Sequence, residues 1–175
     1  MQQIEPTLMD ILVRTPPYAW VILAALVVLG VSQIKFCKLP RSRVLVLPLA
    51  MCGFALYTII SGFSPAGPAV GFWLAGAGIA FGLNEALPRS PSGVQFDPAT
   101  KQFLVPGSMA PLALMLAIFS VNYGVGVMRT LSPADLAENN IRMLVCGALG
   151  LLSGLLIARA ARILRTEKTF RRHLS

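Results

Sequence analysis

GVQFDPATKQFLVPGSMAPLALMLAIFSVNYGVGVM, residues 93–128, decides the fold. From Met109 to Met128 it carries no charged side chain over roughly twenty residues. A helix of that length spans about 30 Å, the thickness of a bilayer's hydrocarbon core. Just upstream the pattern is different. Val94 and Phe96 alternate with polar neighbours, Asp97-Pro98-Ala99-Thr100 has turn chemistry, and Phe103 and Val105 resume the alternation. The spacing predicts a short β-hairpin over 93–105, pairing 94–96 with 103–105. Pro106-Gly107-Ser108 halts the second strand, and Ser108 is suited to cap the helix that follows.

Composition extends this reading to the whole chain. Of 175 residues, 55% are hydrophobic and 13% charged, with a mean hydropathy of +0.71. A soluble domain carries about a quarter charged residues, so the solvent for most of this surface is lipid. The net charge of +8 is gathered in blocks beside apolar runs. That placement marks the cytoplasmic side of a membrane protein rather than a polyanion partner, and no nucleic-acid-binding motif is present. Glu5 and Asp10 stand where a signal peptide would be positive, so the first apolar run is expected to stay in the chain.

Working along the chain, Ile4, Leu8, Ile11 and Leu12 share one face of a helix expected to lie on the membrane surface. Spans are expected at about 18–34, 44–61, 68–87, 109–128 and 141–158, followed by a basic tail over 159–175. Tyr18 and Trp20 open the first span, where amphipathic rings suit the headgroup boundary. The fold class is thus an all-α membrane protein: a single domain, a five-helix transmembrane bundle with a short cytoplasmic β-hairpin before the fourth span.

Alternating the loops across the membrane gives the orientation. One side holds Lys35, Lys38, Arg41 and Arg43, then Arg89 and Lys101, then six basic residues of the tail. The other holds Arg14, Arg129 and Arg142. The positive-inside rule sets the N-terminus outside and the C-terminus in the cytoplasm.

Two G-x-x-x-G spacings, Gly78 with Gly82 and Gly150 with Gly154, predict close backbone contact in lipid, either inside the bundle or between two copies. Asn122 is the one strongly polar side chain placed deep in a span. Counting residues along parallel helices puts Tyr57, Thr58 and Tyr123 at its depth, a candidate buried polar layer. Its amide is expected to bond Tyr57 or Thr58, as an interhelical lock or as the lining of a small-ligand site. Glu85 lies near the end of the third span, where it can reach the interface or Arg89. The tail residues Arg159, Arg162, Arg165, Lys168, Arg171 and Arg172 are expected to extend the last helix and face anionic lipid.

Thr15-Pro16-Pro17-Tyr18-Ala19-Trp20, Phe72-Trp73-Leu74-Ala75-Gly76, Pro106-Gly107-Ser108 and Ile118-Phe119-Ser120-Val121-Asn122-Tyr123 together resemble a family of small bacterial multi-pass membrane proteins of unknown function. That family is distantly similar to the CcdC-like proteins, named for an association with cytochrome c biogenesis. The resemblance implies a bacterial inner membrane and defines no catalytic set. A transmembrane thiol relay needs two cysteines within disulfide reach. The expected spans put Cys52 in the inner half and Cys146 in the outer half, so the two are not expected to meet.

No nucleophile–base set, carboxylate pair, metal-ligand spacing or phosphate-binding loop is legible. Cys37, Cys52 and Cys146 lack metal spacing, His173 is the one histidine, and no metal or cofactor is expected. The chain therefore reads as a non-enzymatic accessory or scaffold protein of the membrane. The alternative is a small transport or permeation subunit acting as an oligomer. Anionic lipid, a second copy of the chain or another membrane protein are the expected partners.

Overall fold

The computed structural model describes residues 16–33, 37–87, 95–97, 102–105 and 107–172, with side chains for all of these except 37–39, 41, 43, 95–97 and 166–172. The expected surface helix over 4–14 lies outside the described residues. In chain order the elements are α1 (Pro17–Val31), β1 (Cys37–Pro40), α2 (Arg41–Gly62), α3 (Ala66–Ala86), β2 (Gln95–Asp97), β3 (Gln102–Val105), α4 (Ala110–Leu131), α5 (Pro133–Ala137) and α6 (Asn139–Arg172).

Four stretches are long and apolar enough to cross a bilayer: Val44–Gly62, Ala66–Ala86, Ala110–Leu131 and Asn139–Arg165. α1 is apolar but has only 15 residues, about 22 Å of helix against a core of about 30 Å. The span expected to reach residue 34 ends at Val31, where Ser32 and Gln33 turn back onto the Val28 and Gly30 carbonyls. α1 packs on α4 with Gly30 at the contact, where any side chain would collide with Leu112.

Helix α4 begins where the sequence placed it. Ser108 Oγ accepts from the Ala110 N–H at 3.2 Å, and the Ser108 N–H donates to the Gln33 carbonyl at 3.1 Å. One polar residue thus starts α4 and ties it to the end of α1.

The bundle's tightest contact is between α3 and α6, which run in the same direction. Ala69, Trp73, Gly76 and Ala80 are the buried positions of α3, an i, i+4, i+7, i+11 stripe. On α6, Gly150 meets the backbone of Trp73 and Ala77, and Gly154 meets Ala77; a Cβ at either would strike a carbonyl oxygen. Gly76 abuts Gly147 in the same way. Gly150 and Gly154 therefore act as packing glycines. Gly78 and Gly82 do not: both are exposed, with nothing within 4 Å of a Cβ built there. The correction is geometric. At 100° per residue, Gly78 sits about 200° around the helix from Gly76, and a spacing motif does not say which face meets the neighbour.

At the end where α3 and α6 finish, β1, β3 and β2 form a three-stranded antiparallel sheet in that order. β2 pairs with β3 in the register Gln95–Leu104, Phe96–Phe103, Asp97–Gln102. Asp97 is therefore a strand residue and not the first turn residue the sequence suggested. Residues 98–101, which join the strands, lie outside the described residues. The third strand was unexpected. Residues 37–40 read as part of a basic loop, yet they pair with 102–105. A two-stranded ribbon is marginal by itself and a third strand is what it lacks.

The sheet has its own core. Phe103 is fully buried and Val105 nearly so, packed with Val44 at the start of α2 and with Ala160 and Ile163 of α6. α6 has 34 residues, about 51 Å of helix. That exceeds the hydrocarbon thickness by roughly 20 Å, and the sheet packs against α6 at Ala160 and Ile163.

Candidate functional site

Three places collect the buried or paired polar residues of the bundle. Asn122 is buried on α4, in line with Met115, Ile118 and Val125. Its Nδ2 donates to the Ile118 carbonyl one turn earlier, at 2.7 Å. Its Oδ1 is buried with no hydrogen-bond partner among the described residues. Thr58 is also buried, but Tyr57 is 70% exposed on the outer face of α2. Tyr123 stacks on Phe119, with ring centroids 6.2 Å apart. The structure thus corrects the expected lock: Asn122 bonds its own helix rather than Tyr57 or Thr58. Tyr57, one residue before the buried Thr58, points about 100° away from it around the helix.

A second polar node escaped the sequence analysis. Trp73 Nε1 donates to Ser153 Oγ at 3.4 Å in the buried α3–α6 contact. The signal was available, since a buried indole N–H requires an acceptor and Ser153 sits inside the Gly150–Gly154 motif that faces Trp73. Cys52 and Cys146 are both buried free thiols.

The third place is the junction of bundle and sheet. Arg162 donates to the Asn84 carbonyl at the end of α3, and Arg165 forms an ion pair with Glu85. Glu85 thus pairs with α6; Arg89, the partner weighed from sequence, lies outside the described residues. Arg162 and Arg165 hold the last turn of α3, so they are not simply lipid-facing. Arg159 is half-buried one turn earlier. The backbone of α6 continues through Lys168, Arg171 and Arg172, whose side chains are not described.

Among the described residues no three His, Cys, Asp or Glu side chains are gathered to hold a metal. The polar groups serve helix packing, the joining of α3 to α6, or one unsatisfied amide oxygen.

No curated protein and no solved structure matches the chain. A family model matches residues 1–172, nearly the full length, and it brings no link to the CcdC-like proteins. The chain belongs to that family, a family of unknown function designated DUF6622.

Proposed function

We propose that this protein is a non-enzymatic scaffold of the bacterial inner membrane that crosses the bilayer five times and presents a folded platform to the cytoplasm. One observation supports this above others. β1, β3 and β2 pack with the projecting end of α6 around a separate core of Phe103, Val105, Ala160 and Ile163. A protein that only filled the membrane would have no use for a second core at one end. The platform lies where the basic residues concentrate, which under the positive-inside rule is the cytoplasmic side. α1 runs antiparallel to α4 and ends beside its start, as a first pass from outside to inside would. Its short length is met by local thinning of the bilayer or by flanking residues that reach the headgroups.

The transport alternative draws on Asn122 and Thr58, both buried polar residues. With Tyr57 turned outward, that layer is too small to line a pathway. A homodimer is the fitting role for Gly78 and Gly82. With Gly71 they form part of a small-residue face of α3, and a Cβ built at any of the three meets nothing within 4 Å among the described residues.

A photo-crosslinking residue at Gln102, on the platform, and another at Leu144, 71% exposed on α6, test the scaffold reading in intact cells. Discrete protein adducts at 102, with lipid adducts at 144, are expected. Lipid adducts alone at both positions, together with solute flux through the reconstituted protein, would favour the transport subunit.

A further inference from the structure

Helix α4 changes character at Asn122. Toward its start Pro111, Met115, Ile118 and Asn122 are buried, and Ser108 ties the helix to the end of α1. Beyond Asn122 only Val125 is buried, while Gly126, Arg129, Thr130 and Leu131 are exposed. Two glycines, Gly124 and Gly126, stand at the change. Neither serves close packing. A Cβ built on either meets nothing within 4 Å among the described residues, whereas at Gly30, Gly76, Gly150 and Gly154 it would collide. The two also lie about 200° apart around the helix, so no single neighbouring helix would call for both. Glycine inside a helix is destabilising relative to alanine, and alanine would fit here.

The side chains flanking the glycines bond backward along the helix. Asn122 Nδ2 donates to the Ile118 carbonyl at 2.7 Å, and Thr130 Oγ1 donates to the Gly126 carbonyl at 3.2 Å. Bonds of this kind compete with the helix ladder and favour bending. A bend frees backbone N–H groups, and in lipid no water is at hand to receive them. A membrane helix therefore hinges where an acceptor is waiting. Asn122 is 6% exposed, and its Oδ1 has no partner among the described residues. Asparagine is among the best residues for starting a helix, because its oxygen accepts from the N–H two or three positions on. Those positions are Gly124 and Val125. We propose that α4 is hinged over Asn122–Gly126: in its bent state the two glycines absorb the change in backbone angles, and Asn122 Oδ1 caps the outer limb, residues 123–131.

The hinge moves one end of the molecule and leaves the other in place. The limb from Asn122 to Leu131 is about 13 Å long, so a bend of about 30° carries its end roughly 7 Å sideways. That limb bears Arg129, whose Nη2 lies 3.6 Å from a Cβ built on Gly62 at the end of α2, and it leads into α5. The start of α4 and the α3–α6 contact are held by buried residues outside the hinge. The continuous helix is the other state, held by the bond from Asn122 to Ile118 and by the burial of Val125.

Pulsed electron spin resonance on the full-length protein in lipid nanodiscs tests this, with Cys37, Cys52 and Cys146 replaced by alanine and spin labels at two pairs of exposed positions. Leu131 and Leu74 report on the outer limb; Met109 and Leu83 report on the start of α4. The first pair should give two distances differing by up to about 7 Å, and the second pair one. Gly124→Ala/Gly126→Ala should reduce the second population at least about threefold, since alanine favours the continuous helix. Asn122→Leu should do the same, and Asn122→Ser, which keeps an oxygen able to cap, should retain it. A single distance for both pairs with the native α4 sequence would overturn the proposal, as would a second population unchanged by the alanine pair or by Asn122→Leu. Amide exchange in the unaltered protein gives an independent check: amides 124–128 should exchange at least about tenfold faster than amides 115–119, and equal rates would also overturn it.

Discussion

Trp73 and Ser153 meet across the α3–α6 contact, indole N–H to hydroxyl, at 3.4 Å and out of reach of solvent. The bond is possible because Gly150 and Gly154, on the same face as Ser153, let the two backbones touch. Small residues bring the helices together and the polar pair fixes their register. In lipid, where apolar surface gives helices no reason to associate, close packing and such bonds are the main source of attraction.

Ser153→Ala should therefore cost little, about 0.6 kcal/mol and at most about 1.7. Gly150→Val should cost more, roughly 1–3 kcal/mol, since the new side chain meets backbone that cannot rotate away. Thermal unfolding in detergent ranks the two; Ser153→Ala as damaging as Gly150→Val would mean that the polar bond, not the close approach, holds the contact.

Gly78→Leu and Gly82→Leu should leave the monomer as stable as wild type, because both positions are open. If two copies associate through this face of α3, the same changes should lower the oligomer fraction in crosslinking of intact membranes. A drop in thermal stability of the monomer would place these glycines in the bundle after all.

Asn122→Leu should be neutral or stabilising. The amide gives one bond to its own helix and leaves Oδ1 unsatisfied, and an apolar replacement removes that burden. Combined with Thr58→Val the effects should add, since no hydrogen bond joins the two. A coupling above about 0.5 kcal/mol in a double-mutant cycle would show that they interact.

Glu85→Gln should weaken the joining of α3 to α6 only modestly. Arg165 is 57% exposed in the pair, and exposed ion pairs contribute about 0–1 kcal/mol, less at high salt. Removing Lys168, Arg171 and Arg172 should reduce binding to anionic vesicles by about 1 kcal/mol per charge, screened by salt. Arg162→Gln should reduce it less, because that guanidinium is occupied at Asn84.

Much of the architecture was legible because membrane helices announce themselves by length and polarity. The limits of α2, α3 and α4 fell within about three residues of the expected spans, and Ser108 bonds the Ala110 N–H at the start of α4, although the N-cap position itself is held by Met109. Long-range pairing was not legible. Residues 37–40 carry basic charge and a proline, and nothing local says that they will meet 102–105 from across the chain. Faces were also hard to assign. On an amphipathic helix in water the polar face identifies the core face by contrast. On α3 every face is apolar, so Gly76 and Gly78 look equivalent until α6 is in place. Asn122 was found by its polarity, but its choice of an intrahelical acceptor over Thr58 depends on side-chain rotation that spacing does not encode.

The central claim, a bundle that carries its sheet and the extended end of α6 together on the cytoplasmic face, is tested most directly by topology reporters fused after Ser64, Lys101 and Ser175. The predicted readings are outside, inside and inside. A reporter at Ser175 reading outside, or Lys101 and Ser175 on opposite sides, would contradict the account, because the sheet residues and the end of α6 share one core and cannot be parted by a membrane.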